Sequence, residues 1–176
     1  MRSLKIEVKR LLLFIWRVVP LPDWAIRTTR FLISHKFIVG VLAVITDAEG
    51  RVLLFRHTYL ARDPWGLPGG NAKCADLKTE LRRELSEESG FSIIVDRLVA
   101  IGHNGRRKID FVFTCSVLEG DGFKASEEVD DFGYFSLDEL PLIGSYHRKI
   151  LDTLAHEAGA RPYLDPNFQG CVEIVE

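Results

Sequence analysis

Glu80-Leu81-Arg82-Arg83-Glu84-Leu85-Ser86-Glu87-Glu88-Ser89-Gly90-Phe91 is the stretch from which the rest of the chain can be read. On a helix Glu84, Glu87 and Glu88 stand at i, i+3 and i+4 and crowd one patch, and Glu80 adds a carboxylate one turn earlier. Like charges at i,i+4 cost about 0.2–0.5 kcal/mol each, and Glu80–Glu84 and Glu84–Glu88 are both such pairs. Arg83, three residues after Glu80 and four before Glu87, offsets part of that cost. Leu77, Leu81 and Leu85 form the apolar stripe. At ~100° per residue, Glu88 falls inside this stripe and Glu84 at its edge, while Lys78, Thr79, Arg82 and Ser86 take the polar side. These carboxylates therefore lean toward the protein body, where unpaired charge is expensive. A hard cation such as Mg²⁺ resolves the conflict, because carboxylate oxygens suit it. Asp76 suits the helix N-cap and Gly90 a left-handed C-cap.

Working outward, Trp65-Gly66-Leu67-Pro68-Gly69-Gly70 precedes the helix within a Gly- and Pro-rich loop over 59–76. Paired glycines let the backbone approach a ligand or metal closely. Further upstream, Phe37–Thr46 and Arg51–His57 read as strands around the turn Asp47-Ala48-Glu49-Gly50, a hairpin signature. Downstream, Ser92–Ile101, Ile109–Leu118 and Val129–Ser136 read as strands. Residues 138–158 read as helical with a break near Pro141–Gly144, and the tail from Gly159 has little periodicity. Strands and helices mix without regular βαβ alternation, so the expected class is α+β with a mixed sheet.

With 176 residues, 47% of them apolar and 27% charged, the chain has the composition of one globular domain. Its net charge of −2 hides an asymmetry. Residues 1–36 hold eight basic and two acidic side chains, a net of +6, so the remainder nets −8. Residues 4–19 read as a basic amphipathic helix ended by Pro20 and Pro22. Its apolar run, Leu11–Val19, falls short of the ~20 residues that cross a bilayer. Such an arm suits packing on its own domain, a homodimer interface, or peripheral contact with an anionic membrane. A basic stretch followed by an apolar one mimics a signal peptide, but no small-x-small cleavage site follows. Three widely spaced cysteines, Cys74, Cys115 and Cys171, indicate neither a disulfide framework nor a zinc site. A reducing cytoplasm is the simplest setting.

Together the glycines and glutamates resemble the Nudix (MutT-like) hydrolase family. That signature runs Gly, five residues, Glu, seven residues, Arg-Glu-apolar-x-Glu-Glu-x-Gly-apolar. Arg83, Glu84, Leu85, Glu87, Glu88, Gly90 and Phe91 match its second half. Counting back from Arg83 puts the first Gly on Gly69 and the first Glu on Ala75, so the first half is degenerate. The family's count usually starts on the second Gly of the pair, which makes this loop one residue short. The family's first Glu helps fix the loop to the helix, and Asp76 is the nearest substitute. Tyr134–Pro141 is also family-like, so the resemblance spans 37–158, between the 1–36 arm and the 159–176 tail.

The resemblance implies an α/β/α sandwich and Mg²⁺-dependent hydrolysis (Mn²⁺ as the alternative ion) of a diphosphate in a nucleoside diphosphate linked to another group. It implies Glu84, Glu87 and Glu88 as metal ligands with the backbone of Gly69 or Gly70. Glu84 is the first choice as base and Arg83 orients carboxylates. Relatives with the base in a later loop direct attention to the run Glu127–Asp131, and to Glu128 within it. The alternative is a weak or inactive nucleotide-binding module on the same fold.

Substrate candidates are less specific. Arg106, Arg107 and Lys108 suit phosphate contacts or are a loop tip. Trp65, Tyr59 and Phe111 could stack a base or serve as core, and His57 and His103 are polar candidates. P-loop, dinucleotide-binding and G-x-S-x-G motifs are absent, and no sequence-specific nucleic-acid module is recognisable. A nucleotide-type small molecule is the expected partner.

Overall fold

The apolar run at 37–46 becomes the central strand. In a computed structural model, which describes residues 22–34, 36–74, 76–103, 105, 107–118, 122–157 and 171–175, β1 (Ile38–Ile45) pairs in parallel with β6 (Lys108–Val117) and antiparallel with β4 (Gly69–Asn71). β5 (Ile93–His103) follows β6, and β8 (Cys171–Ile174) closes the five-stranded mixed sheet β4-β1-β6-β5-β8. A second, antiparallel sheet runs β3-β2-β7, from β3 (Trp65–Gly66), β2 (Val52–His57) and β7 (Val129–Phe135).

β1 is apolar on both faces because both are covered. Val41, Ala43 and Ile45 enter a core with Leu81 and Leu85 of α2 (Leu77–Ser89). Leu42 enters a second core with Tyr146, Ile150 and Leu151 of α3 (Ser145–Glu157). The two helices thus back opposite faces of the strands, which is the α/β/α arrangement of an α+β fold.

Three expectations are corrected. β1 and β2 do not form a hairpin ladder: among the described residues the isolated bridge Thr46↔Val52 and the bond from Asp47 N–H to Arg51 O close the turn, and each strand leads into its own sheet. The reason is competition, since both edges of β1 are taken by β4 and β6. The 59–76 loop contains two short strands, β3 and β4. The tail contributes β8 on the edge of β5, with register Ala100↔Ile174 to His103↔Cys171. The break near Pro141 is present: a 3-10 turn over Leu137–Glu139 precedes α3.

The chain divides into two compact units, Met1–Lys36 and Phe37–Glu176. Within the first, α1 (Asp23–Ile33) is the described element, with Lys36 Nζ 3.4 Å from the centre of the Phe31 ring. The helix expected over 4–19, Ala75 and Arg106 lie outside the described residues. None of the described helices is long and apolar enough to cross a membrane.

Candidate active site

α2 starts where Asp76 caps it, its carboxylate accepting Thr79 N–H at 3.3 Å and Thr79 Oγ1–H at 2.7 Å. It stops at Gly90, whose φ of 73° is left-handed. Between these caps the helix phase points Glu80 and Glu88 inward, at 5% and 8% exposure. Glu84 is mostly covered, and Glu87 is 60% exposed.

Arg83 organises the cluster. Its guanidinium donates to Glu80 Oε2 at 2.8 Å, to Glu87 Oε2 at 2.7 Å and to Glu84 Oε1. These partners push its pKa upward, with Glu80 contributing most. Glu80, held by Arg83, the Lys73 N–H and the Cys74 thiol, falls to about 2. Glu88 behaves in the opposite way. Its Oε2 is buried without a hydrogen-bond partner among the described residues. Burial first, then the charges of Glu84, Glu128 and Glu87, raise its pKa to about 8.

Glu84 and Glu88 face a cleft of about 390 Å³. Gly69 and Gly70 bring β4 alongside, and Glu128 lines the cleft from the segment before β7. Gly70 leaves Glu84 its place: a Cβ there would sit 2.3 Å from Glu84 Oε2 and 2.9 Å from its Cγ, so that side chain would have to shift. Lys73, Lys108, His57 and His147 add basic groups to the lining. Lys108 Nζ lies 3.3 Å from Asp110 Oδ1, and Asp110 is fully buried. Trp65 also lines the cleft, edge-on to Phe135 at 5.0 Å.

The cleft therefore gathers Glu84, Glu88, Glu128, Gly69, Gly70, Trp65 and Lys108 from the sequence candidates. Glu87 and Arg83 are not part of its lining. Arg107 is exposed and its carbonyl accepts Ile38 N–H at 2.7 Å, so it serves the β1–β6 edge. The acidic run splits: Asp130 and Asp131 pair with Arg56, leaving Glu128 to the cleft. Phe111 packs against the core rather than the cleft, and His103 is exposed. Tyr59 and His57 reach the cleft.

Sequence reasoning missed His147. Its signal was the same as that of Glu88, a polar residue at i−3 and i−4 from the buried Ile150 and Leu151. Burial lowers its pKa to about 4, and the nearby His57 and Lys108 add to the shift. His57 is also lowered by burial, opposed by Glu128.

The donor set suits a hard divalent cation: carboxylate oxygens, one of them orphaned in a buried position, beside a closely approaching backbone. Among the described residues no three His, Cys, Asp or Glu side chains are grouped into a cage by themselves. Arg83 instead holds Glu84 and Glu87.

The NUDIX domain family matches residues 36–154, and that span contains the whole cleft. The chain belongs to the Nudix family of hydrolases. It is 30% identical over 130 residues to a MutT-like protein of Streptomyces ambofaciens, covering 72% of this chain and 80% of that one. It is 28% identical over 114 residues to an ADP-ribose pyrophosphatase of Methanocaldococcus jannaschii, covering 61% and 67%. Among solved structures, a UDP-X diphosphatase shares the Nudix fold with a TM-score of 0.60 at 23% identity, covering 93% of this chain and 86% of that one.

Proposed function

We propose that this Nudix hydrolase uses Mg²⁺ or Mn²⁺ to cleave the diphosphate of a nucleoside diphosphate linked to another group. The carrying observation is Glu88 Oε2, orphaned and buried beside Glu84 in a cleft whose lining includes Lys108. Glu84 and Glu88, with a backbone carbonyl of Gly69 or Gly70, would hold the cation, and Glu87 would join by exchanging Arg83 for it. When bound, the cation neutralises the diphosphate and polarises the phosphorus–oxygen bond under attack.

The remaining roles belong to the chain. Glu128 and Glu84 are the carboxylates placed to take a proton from the attacking water. Lys108 and Lys73 offer positive charge to phosphate oxygens, and Trp65 offers a ring edge or face to a base or sugar. Relatives named for ADP-ribose and UDP-X support a nucleoside diphosphate linked to a second group as the first substrate class to try.

The test is a product-resolved screen of full-length protein with Mg²⁺ and Mn²⁺. It compares ADP-ribose, UDP-linked sugars and nucleoside triphosphates. The expected product is a nucleoside monophosphate, and turnover should collapse in Glu88→Gln. Tight nucleotide binding with no turnover under either metal would favour the second reading, a binding module, which Ala75 in place of the family's first Glu motivates.

A further inference from the structure

The loop that carries Gly69 and Gly70 is secured at two levels. Its first half is a strand: β4 pairs with β1, and Ala72 N–H donates to Val39 O at 2.8 Å. The second half, Lys73–Cys74, is exposed and outside any strand, and among the described side-chain carboxylates that of Glu80 ties it to α2. Oε2 of Glu80 accepts Lys73 N–H at 2.9 Å, and Oε1 accepts the Cys74 thiol at 3.2 Å. The Asp76 carboxylate does not share this task, because its two oxygens cap Thr79; among the described residues Asp76 meets the segment only through its backbone carbonyl, which the Cys74 thiol approaches at a long 3.9 Å.

The same carboxylate anchors Arg83 at 2.8 Å, and Arg83 holds Glu84 and Glu87. Glu80 is thus the common point of two paths to the cleft. One runs through the loop to the glycines, the other through Arg83 to the acidic side chains. It lies a full helical turn before Glu84 and does not line the cleft, so it acts on the chemistry through others.

We propose that Glu80 is the positioning carboxylate of this site, clamping the 69–74 loop to α2 and setting Arg83 for Glu84 and Glu87. It supplies from within the helix the anchorage that Ala75, lacking a carboxylate, cannot supply from the loop. The consequence for catalysis rests on the metal-dependent reading above, whereas the clamp itself does not.

Full-length wild type, Glu80→Ala and Glu80→Gln separate the two. Lys73–Cys74 is a trypsin site inside the clamped segment, so cleavage there, followed by mass spectrometry without metal, reads the clamp alone. Glu80→Ala should be cut at that bond about tenfold faster than wild type. Glu80→Gln keeps an acceptor for Lys73 N–H and should be cut near the wild-type rate, provided its thermal midpoint stays close. In a Mn²⁺ titration both variants should bind about 10–100-fold more weakly, the range expected when a group behind the ligands is lost. Turnover should fall in step. Wild-type cleavage rates in Glu80→Ala, or unchanged Mn²⁺ affinity in both variants, would overturn the proposal. Failure of wild type itself to bind Mn²⁺ would overturn the metal-dependent reading and leave the trypsin result to judge Glu80.

Discussion

His147 Nδ1 accepts the backbone N–H of Leu67 at 2.7 Å, tying α3 to the segment between β3 and β4. This bond fixes the tautomer: a neutral ring with Nδ1 accepting carries its proton on Nε2. Burial holds the pKa near 4, so at neutral pH the residue is an uncharged donor in the cleft lining. His147→Phe should raise KM about tenfold while changing kcat less, if that donor meets substrate rather than the reacting atoms. It should also cost about 1–3 kcal/mol, because Leu67 N–H loses its acceptor. Steady-state kinetics and thermal melting check the two effects separately.

Stability should also report on the same ring. Its folded pKa lies below the unfolded value of about 6.5, so the unfolded chain binds more protons between those values. The contribution is complete above about pH 6.5 and is lost as pH falls toward 4. His147→Phe should flatten the acid side of a melting-temperature profile between pH 4 and 6.5. An unchanged acid limb would place the ring in a more polar setting than its contacts indicate.

Glu88 should give the opposite slope. Its folded value of about 8 exceeds the ordinary 4.5, so the folded state holds the extra proton between them. Metal-free protein should therefore lose stability as pH rises from about 4.5 to 8, and Glu88→Gln should remove that loss. Cation binding must expel the proton. Calorimetric Mg²⁺ titrations at pH 7 in two buffers of different ionisation enthalpy should show close to one proton released, and none in Glu88→Gln.

His147 carries the same local helix-phase signal as Glu88, but its partner Leu67 lies 80 residues away, so its place at the cleft is not a local property. The helix period alone puts Glu88 into the leucine stripe, and Asp76 and Gly90 mark both ends, so α2 and its acidic patch follow from the consecutive residues Asp76–Gly90. The split of β1 and β2 between sheets depends on β4 and β6 competing for the edges of β1, a comparison of distant pairings that no local pattern holds. The same applies to β8, whose four residues acquire meaning only on the edge of β5. Within the acidic run the sequence already singles out Glu128, but the physical reason that sets it apart, Arg56 pairing with Asp130 and Asp131, is a long-range contact no local pattern holds.

Gly70→Ala tests the close approach of loop and helix. The added methyl would meet Glu84 at Oε2, Cδ and Cγ, all under 3.0 Å, so more than the tip of the side chain must move. The clash is with the side chain of Glu84 in the cleft and not with core backbone, so global stability need not suffer. The expected result is a thermal midpoint near wild type with kcat/KM reduced about 10²-fold, since small misplacements at a reacting centre cost that much. A large fall in midpoint with normal kcat/KM would mean that the glycine serves packing alone.

Lys108 and Arg107 are adjacent cations of similar appearance in the sequence, and the structure separates them. Lys108 Nζ lies 3.3 Å from Asp110, whose carboxylate is fully buried beside Tyr146, a phenol whose pKa is pushed upward by burial first and by Asp110 second. Gly40 leaves the room for it: a Cβ there would fall 1.8 Å from Asp110 Oδ1. Removing Lys108 strips a buried carboxylate of its counter-charge, which costs about 3 kcal/mol or more. Arg107→Ala removes an exposed side chain and should change stability by less than about 0.5 kcal/mol. Lys108→Met should therefore lower both stability and kcat/KM. Adding Asp110→Asn should recover most of the stability, because the uncompensated charge is gone, but not the activity, because the cleft still lacks its cation. Chemical denaturation of the single and double variants, with kinetics on each, would show whether Lys108 serves the core, the substrate or both.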